Sequence, residues 1–107
     1  MAYDQELDAR VEEITAAWGA SRKKMFGGTG YLLHGNMMAG VLGDSVILRL
    51  GKDAGATALA QPGVRPLDAA RYPMAGWVMV DSEHLDDAAL EDWLEQARDF
   101  AATFPPK

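Results

Sequence analysis

Short apolar runs alternate with glycine turns between residues 24 and 50, and this pattern limits the fold more than any other feature. Gly35-Asn36 and Gly43-Asp44 are favoured in two-residue hairpin turns, where the backbone adopts positive φ. A cluster, Gly27-Gly28-Thr29-Gly30, separates two further runs. Residues 45–50 alternate polar and apolar side chains over most of their length, as in a strand with one buried face. The stretch therefore predicts an antiparallel meander of three or four strands.

Amphipathic helices are predicted at both ends. The first has an apolar stripe at helical spacing, with Asp4 as its N-cap and Gly19 at its end; the stripe is Leu7, Val11, Ile14 and Trp18. Asp86 is the predicted N-cap of the last helix and Pro105-Pro106 its stop. The apolar face of that helix is Leu90, Trp93, Leu94, Ala97, Phe100, Ala101 and Phe104.

The segment between the meander and the last helix is less regular. Residues 52–60 are rich in alanine and predict one or two helical turns, ended by Gln61-Pro62-Gly63. Residues 63–75 contain Pro66 and Pro73 without periodicity and predict an ordered loop, and residues 77–80 predict one more strand. The whole chain, residues 1–107, is expected to form a single α+β domain, with an antiparallel sheet flanked by the terminal helices.

Composition restricts location and partners. The chain has no cysteine, which excludes disulfides, thiolate nucleophiles and cysteine zinc sites. Residues 1–13 carry five acidic side chains and no apolar run, so we expect a cytoplasmic protein with neither a secretory signal nor a membrane span. The formal net charge of −6 argues against general nucleic-acid binding, although residues 20–75 carry seven basic and three acidic side chains.

No catalytic, cofactor or metal site is expected from the motifs. The glycine cluster fails the dinucleotide pattern at Leu33, and Gly51-Lys52 fails the phosphate-loop pattern because Asp53 follows. His34 and His84 have no ligand-like partner three or four residues away. Most carboxylates lie on the outer faces of the two terminal helices, where solvation and capping explain them.

The remaining candidate for a binding site is the basic centre, by which we mean the seven basic side chains between residues 20 and 75. Its side chains come from the sheet and its connections, and they could converge near the glycine cluster to receive an anionic ligand or an acidic partner surface. Pairing with the domain's own acids, or plain solvation, is the simpler alternative. The residues considered for such a site are Lys24, Phe26, Gly27, Gly28, Arg49, Arg65, Arg71 and Trp77.

The sequence resembles the TfoX (Sxy) N-terminal domain family over nearly its whole length. The stretch from Arg22 to Tyr31, with Met-Phe-Gly-Gly-x-Gly at its centre, matches the motif of that family. Further matching stretches follow in the same order; they are residues 35–41, 47–50, 62–67 and 73–78, Trp93-Leu94 and the terminal helix.

The resemblance implies an α+β domain with a curved antiparallel sheet and supplies no catalytic residue. Full-length TfoX proteins are bacterial regulators of natural competence, thought to act with the cyclic-AMP receptor protein. They carry a second, C-terminal domain, whereas this sequence ends at Lys107, so we expect a stand-alone N-terminal domain. Whether it serves competence stays open.

Three functions follow as hypotheses. The first is a non-enzymatic regulatory or interaction domain that binds a protein, with a transcription factor as one candidate partner. The second is nucleic-acid binding through the basic centre. The third is a small anionic-ligand-binding protein or an undiscovered enzyme, with a pocket near Phe26, Gly27, Arg49 and Trp77. Self-association through an exposed sheet edge or face is possible as well.

Overall fold

A sheet of six antiparallel strands carries the helices of this domain. The computed structural model describes residues 4–25, 28–69 and 72–106. The helices in this part are α1 (Gln5–Ala16), α2 (Lys52–Ala58) and α3 (Asp87–Ala101), and a 3₁₀ turn spans Ser82–His84. The strands are β1 (Ser21–Met25), β2 (Gly28–Leu33), β3 (Asn36–Leu42), β4 (Ser45–Arg49), β5 (Val64–Ala69) and β6 (Tyr72–Asp81). The predicted α+β class is confirmed.

The strand order is β1-β2-β3-β4-β6-β5, so the predicted meander forms the first part of the sheet. The prediction of a loop over residues 63–75 is wrong, because β5 and the first half of β6 lie there. β5 is an edge strand, where a proline such as Pro66 costs no hydrogen bond if its nitrogen faces away from the sheet. The neighbouring side chains of Arg65 and Pro66 are both exposed, so this part of β5 has no buried face and shows no alternation.

The hairpin turns follow the glycines, with one shift. Gly43-Asp44 joins β3 to β4 as predicted, and Gly43 has a φ of 61°. The turn between β2 and β3 uses His34 and Gly35, at φ values of 52° and 84°, instead of Gly35-Asn36. Asn36 instead begins β3, where its buried side chain donates to the carbonyl oxygen of Pro105 at 3.0 Å. This long-range hydrogen bond satisfies the buried Asn36 side chain at the first residue of β3.

The terminal helices begin where the caps predict. Asp4 accepts a hydrogen bond from the Leu7 amide at 2.9 Å, and Asp86 accepts one from the Ala89 amide at 2.8 Å. Each such cap typically contributes about 1 kcal/mol. Arg10 of α1 joins the two helices, because it contacts the Asp87 carboxylate at 2.9 Å. This exposed ion pair links α1 to the first turn of α3.

The core lies between the sheet and the helices. Its largest fully buried side chains include Tyr31, Leu48, Leu90 and Leu94. Burying a leucine of this kind stabilises the fold by about 1.5–3 kcal/mol. No helix in the described ranges is long and apolar enough to cross a membrane.

Candidate functional site

Those predicted site residues that the structure describes lie at separate places on the sheet. Lys24 lies on edge strand β1, Arg65 on the opposite edge strand β5, and Arg49 and Trp77 face each other on β4 and β6. Neighbouring strands are about 4.8 Å apart, so the two edges of the sheet are separated by roughly 24 Å. Three further candidates, Phe26, Gly27 and Arg71, lie outside the described residues.

Arg49 is surrounded by aromatic rings. Its guanidinium carbon lies 5.9 Å from the ring centroid of Trp77, 5.7 Å from that of Phe100 and 4.6 Å from that of Phe104. A cation over an aromatic face gains about 0.5–2 kcal/mol, depending on its desolvation. Within the described part of the chain, Arg49 has no hydrogen bond or ion pair. The rings therefore hold this cation in place and leave its N–H groups available.

Arg65 is paired inside the domain. Its guanidinium contacts the carboxylate of Asp81 at 2.6 Å, and Ser45 donates to the same carboxylate oxygen at 2.7 Å. The hydrogen bond from Arg65, with that from Ser45, lowers the pKa of Asp81 below its usual value. Arg65 thus links β5 to β4 and β6. This agrees with the simpler alternative, in which the basic side chains pair with the domain's own acids.

Gly28 has a packing role. A Cβ atom at this position would lie closer to the backbone carbonyl oxygen of Val41 than any real contact permits. Gly30 also lies within β2 and not in a turn, opposite Gly40 of β3. Gly28 and Gly40 let β2 and β3 approach closely, so the place of Gly28 in the motif reflects strand packing.

A buried carboxylate that the sequence did not predict as a site organises the N-terminal half. Asp8 of α1 is 4% exposed and accepts hydrogen bonds from Arg22, Thr29 and Tyr31. Its Oδ2 atom lies 2.5 Å from the Arg22 guanidinium and 3.2 Å from the Thr29 hydroxyl. Burial, with the hydrogen bond to Asp8, raises the pKa of Tyr31 above its usual value. We refer to these four residues as the Asp8 cluster.

One signal in the sequence points to the Asp8 cluster. Asp8 stands three residues before Val11 and seven before Thr15, which places all three on the inward side of α1. A carboxylate at an inward position of a helix needs partners, since burying an unpaired charge is costly. Arg22, Thr29 and Tyr31, all in the motif stretch from Arg22 to Tyr31, supply them.

A shallow open depression of about 260 Å³ lies beside the Asp8 cluster, between α1 and β1. Its lining residues are Gln5, Asp8, Ala9, Glu12, Arg22 and Lys24. Arg22 is compensated by Asp8 and, at 3.9 Å, by Glu12. Lys24 has no acidic partner within the described ranges. Of the predicted basic candidates on the described sheet, Lys24 and Arg49 therefore keep charges that no carboxylate neutralises.

In the residues that the structure describes, no three His, Asp or Glu side chains are grouped so that they could hold a metal ion. His84 approaches Glu83 at 3.7 Å and packs close to Gly63. His34 occupies the hairpin turn before β3.

Comparison with known proteins supplies one match. The family model described as the TfoX N-terminal domain matches residues 12–101 of the chain. The matched range begins after Asp8 and includes the Arg22, Thr29 and Tyr31 side chains that bind it. Comparison with curated proteins gave no match, and neither did comparison with solved structures.

Proposed function

The chain belongs to the TfoX N-terminal domain family, and we propose that it is a non-enzymatic regulatory domain that acts in the cytoplasm by binding a protein partner. The regulators of competence that carry this domain suggest a transcription factor as the class of partner. The proposal concerns the domain's mode of action and does not depend on competence itself.

The strongest support for this proposal is that some residues of the motif bind inside the domain while others are exposed. Arg22, Thr29 and Tyr31 bind Asp8 inside the domain, so this part of the motif builds the scaffold. Lys23 and Lys24, the basic pair of the same stretch, are exposed and have no ion pair within the described ranges. The exposed lysine pair offers a small basic patch, and charge complementarity at such a patch favours one protein partner over others.

Nucleic-acid binding has less support. A protein that follows a phosphate backbone needs lysines and arginines along one continuous surface. Here Arg22 and Arg65 each pair with a carboxylate, and they lie on opposite edge strands of the sheet. The basic centre is therefore divided among separate places.

Capture from a cell lysate tests the proposal. The tagged domain is incubated with lysate of its own organism, with and without nuclease, and retained proteins are quantified against the domain. We expect a protein retained at near-stoichiometric yield after nuclease treatment. Lys24→Glu should reduce its yield, whereas Lys52→Glu, the same charge change at an exposed position of α2, should not. Loss of every retained protein after nuclease treatment would refute the proposal in favour of nucleic acid.

Binding of an anionic group at Arg49 is a second candidate. The observation that favours it is the guanidinium held by Trp77, Phe100 and Phe104 without a carboxylate partner in the described residues. Titration with acetate and with inorganic phosphate, followed by tryptophan fluorescence, tests it. A saturable change that Arg49→Gln abolishes supports this function, and an identical response of the two proteins contradicts it.

A further inference from the structure

The two edges of the sheet differ in their ability to accept another strand. An added strand needs a row of unpaired N–H and C=O groups on the edge that it joins. On β5 this row is interrupted at Pro66, which has no N–H group. β1 contains no proline, is exposed from Ser21 to Lys24, and has β2 as its one neighbouring strand in the described part of the sheet. β1 is therefore the better edge for an added strand.

The pairing register shows which groups of β1 face outward. Residues that flank a two-residue hairpin turn exchange hydrogen bonds, and bonded and non-bonded pairs then alternate along the ladder. The pair Leu42 and Ser45 flanks the Gly43-Asp44 turn, and the alternation carries across β3 and β2 to β1. Lys23 then bonds to β2, whereas the N–H and C=O groups of Arg22 and Lys24 point away from the sheet.

The side chains of β1 determine what kind of strand fits. Lys24 lies on the face that carries α1, as its place in the depression beside Asp8 shows, and Lys23 lies on the opposite face. Neither lysine has a carboxylate partner among the residues that the structure describes, so an added strand meets an ammonium group on each face. A second copy of β1 would bring lysines against lysines, which is unfavourable between neighbouring strands. Adjacent acidic residues in the added strand complement both faces.

We propose that β1 is a docking edge for an extended acidic segment of a partner protein, which adds to the sheet as a seventh strand beside Arg22, Lys23 and Lys24. Main-chain hydrogen bonds to Arg22 and Lys24 supply the affinity, and the two lysines select acidic side chains. This inference rests on the proposed function, because it identifies the surface through which the domain binds its partner.

Two short peptides test the charge selection directly. One has the sequence Thr-Val-Thr-Glu-Glu-Thr-Val-Thr, and the other replaces the central glutamates with lysines. Each is titrated into the isotope-labelled domain, and the amide resonances are followed by NMR. We expect the glutamate peptide to shift the amides of Arg22 and Lys24 and to slow their hydrogen exchange. Equal shifts with both peptides, or shifts confined to other strands, would overturn the proposal.

Two substitutions at Lys24 separate the contribution of the main-chain hydrogen bond to binding from that of the ammonium group. Lys24→Thr removes the ammonium group and keeps the outward N–H, whereas Lys24→Pro removes both without breaking a bond to β2. Loss of one such hydrogen bond should weaken binding of Lys24→Pro about tenfold relative to Lys24→Thr. Equal affinities of the two variants, each with a dispersed spectrum, would overturn the proposal. If Lys24→Pro does not fold, the peptide pair and Lys24→Thr still test the charge selection.

The lysate experiment distinguishes this inference from the proposed function. A captured partner whose yield is the same with Lys24→Pro and with the natural domain binds elsewhere, which overturns the docking edge and leaves the proposed function intact. Failure to capture any protein contradicts the proposed function, whereas the peptide titration still decides whether β1 accepts an acidic strand.

Discussion

Replacing Tyr31 with phenylalanine removes one hydroxyl group from the Asp8 cluster and leaves the ring in the core. Tyr31 is 1% exposed, and its hydroxyl group donates to the Asp8 carboxylate. The backbone carbonyl oxygen of Asp8 also lies 3.1 Å from this hydroxyl group. A single proton serves one bond at a time, so the substitution removes one hydrogen bond to a buried anion.

The expected cost follows from the charge on the acceptor. A hydrogen bond to a charged group contributes about 1.5–3 kcal/mol, against about 1 kcal/mol for a neutral pair. Arg22 and Thr29 still bind Asp8 in the variant, so the carboxylate is not left without partners. We therefore expect Tyr31→Phe to lower the free energy of unfolding by about 2 kcal/mol and the melting temperature by roughly 8–15 °C.

Urea denaturation followed by tryptophan fluorescence measures this loss. Thr57→Ala is the control, because it removes an exposed hydroxyl group that bonds to the Asp53 carbonyl oxygen within α2. The control should change the free energy of unfolding by less than about 0.5 kcal/mol. If Tyr31→Phe costs no more than Thr57→Ala, Asp8 does not depend on Tyr31 and the account of the cluster is wrong.

Further predictions concern pH and close packing. The raised pKa of Tyr31 implies stability that is present below the unfolded-state pKa of about 10 and is lost as pH rises above it. The advantage of the natural protein over Tyr31→Phe should therefore shrink in urea denaturations above about pH 10, and a constant difference contradicts this. The lowered pKa of Asp81 implies the opposite sign, with stability present above an unfolded-state pKa of about 3.9 and lost as pH falls through the folded-state pKa. Arg65→Gln should thus cost about 0.2–1 kcal/mol at pH 7 and nothing in strong acid, and a pH-independent cost excludes the ion pair as the cause. Gly28→Ala should destabilise by about 3 kcal/mol because its Cβ meets a rigid backbone carbonyl of β3. Gly43→Asn, which meets open space at positive φ, should cost less than about 1 kcal/mol by thermal denaturation, and equal losses at the two glycines refute this explanation.

The terminal helices and the meander could be predicted because their signals are local. Asp4 and Asp86 cap the helices through bonds to residues three positions away. Gly43-Asp44 fixes a hairpin through its own backbone preference. β5 could not be predicted in the same way. A proline such as Pro66 occurs both in loops and in edge strands, and the local sequence does not distinguish the two.

The arrangement of the site could not be predicted, because it depends on strand and ion pairs between residues that are far apart in the sequence. The basic residues were predicted as candidates, but their separation followed from the strand order, which places β1 and β5 at opposite edges. The pairing of Arg65 with Asp81 requires β5 and β6 to be neighbours, and β5 was not predicted. The inward position of Asp8 on α1 can be read from the sequence, but its partners cannot, because Arg22, Thr29 and Tyr31 reach it only when α1 packs on β1 and β2.

Hydrogen exchange at single amides of the domain, free and in complex with the captured partner, shows whether the partner binds at β1. We expect the amides of Arg22 and Lys24 to exchange at least about tenfold more slowly in the complex, because each gains a main-chain hydrogen bond at the docking edge. Unchanged exchange at these two amides, with protection on another surface, would contradict it.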